Sequence, residues 1–300
     1  MNAARLGKKR GEQLSQVLMG LILILFAFCC LFPMYLVLIN SFATEASILK
    51  NGYQLIPEQF SLEAYKSIFY AGSPTLKSYG ITILITVVGT AIAVVITYMC
   101  GFSLANENLK YRNGFSLFFF ITTVFNSGLV PWYLICRVLH LYNNIWALII
   151  PSLLMNAFHV MLVRNYFSTS IPESLIESAK LDGASEMMIF RAIVLPLSKP
   201  IMATIGLMLA LSYWNNWTNG LYYLDDTSLY SIQNVLNAIN NNIIAINSVS
   251  NMGLAINKSE VPALTARMAI AVIGIVPMLC IYPFFQKYFV KGITIGAVKG

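Results

Sequence analysis

The stretch Glu177-Ser178-Ala179-Lys180-Leu181-Asp182-Gly183 is short and charged, and it lies between two long apolar runs. Most of its residue types favour helix, and Glu173 and Glu177 lie towards the start, where the helix dipole favours negative charge. Pro172 suits the first turn of a helix, and Gly183 suits the end because glycine adopts positive φ at little cost. The stretch therefore predicts a short helix from Pro172 to Leu181 that stops at Gly183.

A second short helix is predicted directly after this stop. Ser185 can cap its first turn, and the segment continues to Ile193-Val194-Leu195-Pro196. Pro196 and Pro200 lack the N–H that a helix interior requires, so both are predicted to break the chain before the next apolar run. The expected structure is a helix–turn–helix over residues 171–196, which we call the elbow.

The rest of the chain is too apolar for a soluble domain. Hydrophobic residues make up 58% of it and charged residues only 10%, whereas a soluble domain averages about 25% charged residues. Six stretches without charge reach the roughly 20 residues that a helix needs to cross a bilayer. Since backbone groups in hydrocarbon must pair within their own segment, each stretch is predicted to be a helix. The predicted spans cover about residues 17–39, 78–103, 114–136, 143–163, 200–224 and 268–286.

The predicted fold is an all-α membrane protein with six transmembrane helices in a single domain, residues 1–300. An asparagine-rich segment, residues 231–257, is excluded from the spans because so many amides in lipid would be costly. Its apolar residues nevertheless recur at helical spacing, at Ile232, Val235, Leu236, Ile239 and Ile243. This segment is therefore predicted to be an amphipathic helix that lies at the membrane interface or packs on the protein.

The distribution of charge predicts the orientation of these spans. If the amino terminus lies inside, 13 of the 19 lysines and arginines fall on the inner side, while the 12 acidic residues divide equally. Basic residues concentrate on the cytoplasmic side of membrane proteins. Both termini and the elbow, between the fourth and fifth spans, are therefore predicted to be cytoplasmic. The same distribution argues against a nucleic-acid partner, because it leaves no basic cluster on a soluble face.

The elbow resembles the cytoplasmic coupling segment in the membrane subunits of ABC importers. That pattern is Glu-Ala-Ala, three residues, Gly, nine residues, Ile, one residue and Leu-Pro. Here Gly183 stands four positions after Ala179, and Ser178 takes the place of the first Ala. The resemblance implies that a set of elbow residues couples the chain to an ATPase: Glu177, Ser178, Ala179, Asp182, Gly183, Ile193, Leu195 and Pro196.

Further segments are similar to the carbohydrate-uptake subfamily, which includes the maltose-type permeases. They include residues 126–151 around Asn126-Ser127-Gly128, and residues 285–300 at the carboxyl end. The resemblance implies a multi-pass permease of the bacterial cell membrane, in contact with membrane lipid, that forms half of a pathway for a carbohydrate, in particular an oligosaccharide. It also implies a second homologous permease, two cytoplasmic ATPase subunits and an extracellular solute-binding (lipo)protein. A permease for a non-sugar solute, or a carrier that works without ATP, is the alternative.

The sequence contains no motif for ATP hydrolysis. No Gly-x-x-x-x-Gly-Lys-Ser/Thr phosphate loop occurs, so ATP and magnesium are expected on the partner ATPase subunits and no cofactor on this chain. The two histidines and five cysteines lack metal-ligand spacing. No catalytic residue and no metal site are therefore predicted.

Polar and aromatic residues within the spans are candidates for the solute pathway. Asn215 and Asn219 stand four apart in an aromatic segment, which would place them on one face of a continuous helix. Buried polar groups in spans usually face protein or a cavity. An aromatic belt at the membrane surface, or asparagines that bind neighbouring helices, would explain the same residues. The candidates are Asn126, Asn156, Trp214, Asn215, Trp217 and Asn219.

Overall fold

Helices account for the regular structure of the described residues. The computed structural model describes residues 2–70, 73–125, 127–151, 153–251 and 263–297. Within these ranges no β-strand forms, and the one bridged pair is Ala43 with Phe60. The all-α class predicted from the sequence is confirmed for this part of the chain.

The helices up to the elbow vary widely in length. In chain order they are α1 (Asn2–Asn40), α2 (Glu45–Asn51), α3 (Glu63–Ile68), α4 (Thr75–Ala105), α5 (Arg112–Val124), α6 (Leu129–Val138), α7 (Trp146–Ile149) and α8 (Ala157–Ser170). Side-chain caps fix two of the starts. Thr44 accepts from the Ser47 N–H at the start of α2, and Asn156 accepts from the N–H groups of Phe158 and His159 at the start of α8.

The elbow and the segments after it complete the order of the described elements. In order they are α9 (Glu173–Leu181), α10 (Glu186–Ile189), a π-turn (Phe190–Val194), α11 (Leu195–Leu197), α12 (Lys199–Asn215), α13 (Thr218–Tyr223), a 3₁₀ turn (Thr227–Leu229), α14 (Ile232–Asn251) and α15 (Ala263–Ala297).

Three helices in the described residues are long and apolar enough to cross a membrane. They are Ser15–Asn40, Thr75–Ala105 and Leu264–Phe284, and they coincide with the predicted first, second and sixth spans. Two bent helix pairs raise the number to five if each pair counts as one span: Arg112–Val124 with Leu129–Val138, and Glu186–Leu197 with Lys199–Asn215. The count of six spans and the cytoplasmic placement of both termini remain predictions.

Breaks interrupt the residues predicted as the fourth and fifth spans. Residues 143–163 form α7 and the first half of α8, with Pro151 between them, where a proline cannot continue a helix. Residues 200–224 form α12 and α13, and the helix ends at Asn215 because Asn216 is extended, with φ −75° and ψ 111°. Asn215 and Asn219 therefore do not share one helix, which corrects the premise of a common helix face.

Contacts divide the chain into two compact units. One comprises Met1–Ser73 with Asn240–Ile275, and the other comprises Pro74–Ile239 with Val276–Gly300. In the first unit, the buried Glu45 carboxylate accepts hydrogen bonds from the N–H groups of Leu264 and Thr265 at 2.9 and 3.0 Å, and from the Thr265 hydroxyl at 2.8 Å. Glu45 thereby satisfies unpaired donors at the start of α15, where the helix dipole favours a carboxylate.

In the second unit, α4 is the central helix against which α8 and α12 pack. Small residues on α4 permit this packing. A Cβ at Gly89 would lie 2.5 Å from Cζ of Tyr213 on α12, and one at Gly101 would lie 2.7 Å from Cγ1 of Val163 on α8. The Tyr213 hydroxyl donates to the Ile149 carbonyl at 3.0 Å and the Tyr98 hydroxyl to the Ser198 carbonyl at 3.2 Å.

The asparagine-rich segment begins as the predicted amphipathic helix. Residues 232–251 form α14, which is not among the helices suited to cross a membrane. Ile232, Val235 and Leu236 are buried, whereas Asn241 and Asn242 are exposed. The helical spacing of its apolar residues is confirmed. The rest of the segment, from residue 252 onward, lies outside the described residues.

Candidate functional site

The first helix of the elbow ends in a complete glycine cap. Gly183 has φ +80°, its N–H donates to the Lys180 carbonyl at 3.0 Å, and the Ala184 N–H donates to the Ala179 carbonyl at 2.9 Å. This pair of bonds is the Schellman motif, which satisfies carbonyls at a helix end and requires a left-handed residue after it. The predicted stop at Gly183 is confirmed, and α9 matches the predicted helix to within one residue.

The second helix of the elbow begins as predicted but ends differently. The Ser185 hydroxyl caps it by accepting from the Met188 N–H at 3.3 Å. The predicted break before the next span is confirmed, although the helix runs one residue past Pro196, to Leu197. The π-turn Phe190–Val194 shifts the hydrogen-bond register so that Pro196 falls in the first turn of α11, where no N–H is needed. The break comes at Ser198, and the axis there bends by 83°.

An ion pair joins the two arms of the elbow. Lys180 Nζ on α9 lies 3.0 Å from Oε1 of Glu186 on α10. Both side chains are partly exposed, so the pair contributes about 0–1 kcal/mol to stability. Because the glycine cap fixes the turn between the same two helices, the ion pair adds orientation rather than much stability.

Apolar side chains of the elbow point away from the protein. Leu181 is 89% exposed, and Leu175, Met187 and Met188 are exposed as well. Ile176 and Ala179, by contrast, pack against the core of the unit. An isolated exposed leucine is common, but four apolar side chains on two short helices form a surface suited to a partner. The sequence pattern did not single out Met187 and Met188, although both lie in the helix that Ser185 was predicted to cap.

A cleft of about 160 Å³ lies between the elbow and the ends of α4 and α8. Phe102, Phe167 and Val194 form its apolar floor, and the carboxylates of Glu107, Glu173, Glu177 and Glu186 line it together with Lys180. Glu107 pairs with Arg112 at 3.3 Å and Glu186 pairs with Lys180. The structure thus brings Glu177 beside the loop at residues 106–108, a neighbour that the sequence pattern did not indicate.

The remaining predicted coupling residues divide into exposed and packed positions. Ser178 and Asp182 are exposed, and the Ser178 hydroxyl donates back to the Ser174 carbonyl at 2.8 Å. Ile193 and Leu195 pack against the core of the unit, while Pro196 is exposed. The predicted coupling residues therefore comprise an exposed surface, at Glu177, Ser178, Asp182 and Gly183, and a partly buried attachment to the core.

Asparagine side chains form hydrogen bonds between the broken helices. Asn219, only 4% exposed, donates from its amide to the Pro151 carbonyl at 3.0 Å. Asn234 on α14 donates to the Trp217 carbonyl at 2.6 Å and accepts from the Ser231 hydroxyl at 2.7 Å. These side chains satisfy the backbone groups that the breaks set free, as irregular backbone buried in a membrane protein requires. Ser231 and Asn234 were not among the predicted site residues, because the backbone carbonyls that they bind, at Asn216 and Trp217, lie in another segment.

The pathway candidates occupy different environments. Trp214 is buried at 3% exposure, whereas Trp217 is 40% exposed. Asn215 is exposed at the end of α12 and accepts from the Gln233 amide at 3.5 Å, and Asn156 is exposed at the cap of α8. Asn126 lies outside the described residues. The described candidates thus divide into buried residues, Trp214 and Asn219, and exposed ones, so each remains a separate candidate.

Asn143 connects two loops by hydrogen bonds: its own loop between α6 and α7, and the loop that follows α13. Its side-chain amide oxygen accepts from the backbone N–H groups of Asp225 and Asp226 at 3.1 and 2.8 Å, and its backbone N–H donates to the Tyr223 carbonyl at 2.7 Å. The N–H and hydroxyl of Ser228 lower the pKa of Asp226 by bonding to its carboxylate. The hydrogen bond to the Asp225 carboxylate raises the pKa of Tyr142.

The model of one protein family matches residues 97–295, which include the elbow, both broken helices and these loops. The family is described as binding-protein-dependent transport system inner membrane components. The chain belongs to this family. It is accordingly a transport subunit and a multi-pass protein of the cell membrane, as the sequence analysis predicted.

Individual relatives align along almost the whole permease. The chain is 37% identical to the polygalacturonan/rhamnogalacturonan transport system permease protein YtcP of Bacillus subtilis, over 93% of this chain and 96% of YtcP. It is 28% identical to the arabinooligosaccharides transport system permease protein AraQ of Bacillus subtilis, over 90% and 91% of the two chains. A chain in the crystal structure of a bacterial ABC transporter involved in import of the acidic polysaccharide alginate matches with a TM-score of 0.77 and 28% identity, and the match covers 93% of this chain and 98% of that one.

Proposed function

We propose that the chain is the permease subunit of an ATP-driven importer and forms half of the pathway for an oligosaccharide. The observation that carries the proposal is the elbow: a capped helix–turn–helix with exposed apolar side chains and exposed carboxylates, inside the region that the family shares. Such a surface needs a protein partner. ATP hydrolysis is assigned to that partner, since the chain has no phosphate loop.

The elbow is proposed to transmit motion as a rigid body. The Schellman cap and the Lys180–Glu186 ion pair hold α9 and α10 in one geometry. Ile193 and Leu195 anchor the second arm in the core beside α12. A movement of the ATPase that displaces Leu181 would therefore displace the membrane helices that follow the elbow, rather than bend a loop.

The proposed membrane arrangement has six spans with both termini in the cytoplasm. The excess of lysine and arginine on the elbow side of the predicted spans supports it. The proposed assembly contains a second homologous permease, two ATPase subunits and an extracellular solute-binding protein. In this arrangement the loops that Asn143 joins lie on the outer side, opposite the elbow.

The proposed solutes are oligosaccharides because the similar proteins are described as transporting oligosaccharides or polysaccharides. They are arabinooligosaccharides for AraQ, polygalacturonan or rhamnogalacturonan for YtcP, and the acidic polysaccharide alginate for the solved structure. Asn215 and Trp217 are exposed at the break between α12 and α13 and are the pathway candidates that the geometry favours. Trp214 and Asn219 are buried, and they are proposed to stabilise the break by packing and hydrogen bonding inside the protein.

Reconstitution tests this function directly. The permease would be purified with its partner permease and ATPase subunits, placed in proteoliposomes, and supplied with the solute-binding protein and labelled oligosaccharides. We expect uptake that requires ATP on the side of the membrane that bears the elbow and the binding protein on the opposite side. Uptake by the permease pair alone, without ATPase subunits, would contradict the proposal.

A further inference from the structure

Arg137 presents an unpaired guanidinium above a group of tyrosines. Its Cζ lies 4.1 Å from the ring centroid of Tyr142 and 5.9 Å from that of Tyr133. The side chain is exposed, and among the described residues it forms neither a hydrogen bond nor an ion pair. Stacking on an aromatic face holds the guanidinium plane in place and leaves its N–H donors available at the edge.

The acidic side chains nearby are bound elsewhere. The Tyr142 hydroxyl donates to both carboxylate oxygens of Asp225 at 2.8 Å. The carboxylate of Asp226 accepts from the N–H and the hydroxyl of Ser228, each at 2.8 Å. The Asn143 side chain fixes the backbone of both aspartates. Within the described residues neither carboxylate forms an ion pair with Arg137, so its N–H donors remain available to another acceptor.

Tyr133 and Tyr142, which Arg137 contacts, belong to a group of tyrosines with flat faces and polar edges. Tyr133 stacks on Tyr223 with ring centroids 6.0 Å apart and planes 12° from parallel, and Tyr222 next to it is 39% exposed. Aromatic rings that combine an apolar face with a hydroxyl suit the faces and hydroxyl groups of sugar rings. A guanidinium fork beside them suits a carboxylate, which it can bind through two parallel N–H···O bonds.

We propose that Arg137 and Tyr142 form a subsite for the carboxylate of a uronic-acid residue on the outer side of the permease. The inference rests on the proposed function and narrows its solutes to acidic oligosaccharides. Arg137 binds the carboxylate in a bidentate manner, Tyr142 orients Arg137 and restrains Asp225, and Tyr222 with Tyr133 offers a surface for the sugar ring. No bond is made or broken.

A pair of matched solutes tests the subsite. The complete transporter in proteoliposomes would be supplied with trigalacturonate or with its fully methyl-esterified form, which keeps the shape and loses the charge. We expect R137Q to raise the KM for trigalacturonate uptake about tenfold, as the loss of a charge-assisted hydrogen-bonded pair implies. The change for the ester should be much smaller, and R137K should fall between wild type and R137Q.

A second variant separates binding from folding. Y142F keeps the ring under Arg137 but frees Asp225 to pair with the guanidinium, so it should also raise the KM for trigalacturonate. Combining it with D225N should restore the KM. Equal effects of R137Q on both solutes, or no effect on either, would overturn the inference. So would a wild-type transporter that imports the ester but not trigalacturonate, whereas failure to import any oligosaccharide would overturn the proposed function itself.

Discussion

At the scale of the residue, Gly183 is the position on which the elbow depends most. Its φ of +80° is available to glycine without penalty, while a Cβ in the left-handed region costs about 1 kcal/mol or more. A Cβ there would meet nothing within 4 Å. Any effect of substitution therefore comes from the backbone of the turn and not from a steric clash.

We predict that G183V loses most ATP-dependent uptake while G183N keeps most of it. Asparagine tolerates the left-handed conformation far better than a β-branched residue. The affinity of the purified permease pair for the ATPase subunits would be measured for both variants, with thermal unfolding as the control for folding. Equal losses for valine and asparagine would show that the conformation of the turn is not what matters.

The predictions from single residues depended on local sequence, and the structure confirms most of them. The stop at Gly183, the cap at Ser185 and the helix between Glu173 and Leu181 each depend on residues within one or two turns. The predicted break near Pro196 comes after Leu197, because a π-turn before Pro196 changed the hydrogen-bond register. This π-turn lies in a packed segment in which Val194 is buried. The local sequence pattern gives no indication of the π-turn.

At the scale of the element, α4 holds the second unit together through glycines that face other helices. Gly89 is in contact with the Tyr213 ring, whereas Gly80 on the same helix has nothing within 4 Å of a Cβ position. We predict that G89A lowers stability by about 1–3 kcal/mol, the usual cost of overpacking. Thermal unfolding in detergent checks this.

The matched substitution G80A supplies the control for that prediction. It has the same chemistry on the same helix, in open space, and alanine has the higher helix propensity. We expect G80A to leave stability unchanged or slightly raised. A destabilisation by G80A equal to that of G89A would mean that the close approach of Tyr213 is unimportant.

The break between α12 and α13 gives a second prediction at this scale. N234L removes the donor to the Trp217 carbonyl and the acceptor for Ser231, and it leaves buried polar groups unpaired at about 1–3 kcal/mol. N241L, at an exposed position on the same helix, should have little effect. Unfolding midpoints of the two variants, compared with wild type, would decide, and equal midpoints for N234L and wild type would contradict the prediction.

The same break explains why the pathway residues were harder to predict than the elbow. A continuous helix from residue 200 to 224 would have placed Asn215 and Asn219 on one face. The chain instead breaks at Asn216 because Ser231, Asn234 and Pro151 offer hydrogen-bond partners from other segments. Partners so distant in sequence leave no periodic signal. As a result, Asn219 is buried against the Pro151 carbonyl, whereas Asn215 is exposed.

At the scale of the whole molecule, the charge distribution predicts opposite sides for the elbow and the Asn143 loops. Single cysteines would replace Asp182 or Asp226 in a variant without the five native cysteines, and a membrane-impermeant maleimide would be applied to intact cells. We expect labelling at position 226 and none at position 182 until the membrane is opened. Labelling of position 182 in intact cells would contradict the topology.

The central claim is that the elbow is the surface through which an ATPase acts on the permease, and cross-linking at Leu181 tests it most directly. A photoreactive amino acid would replace Leu181, which is 89% exposed, or Leu55, which is 55% exposed and predicted to lie outside. In the assembled transporter we expect an adduct with the ATPase subunit from position 181 and none from position 55. The absence of an ATPase adduct at 181, with one at 55, would contradict the account.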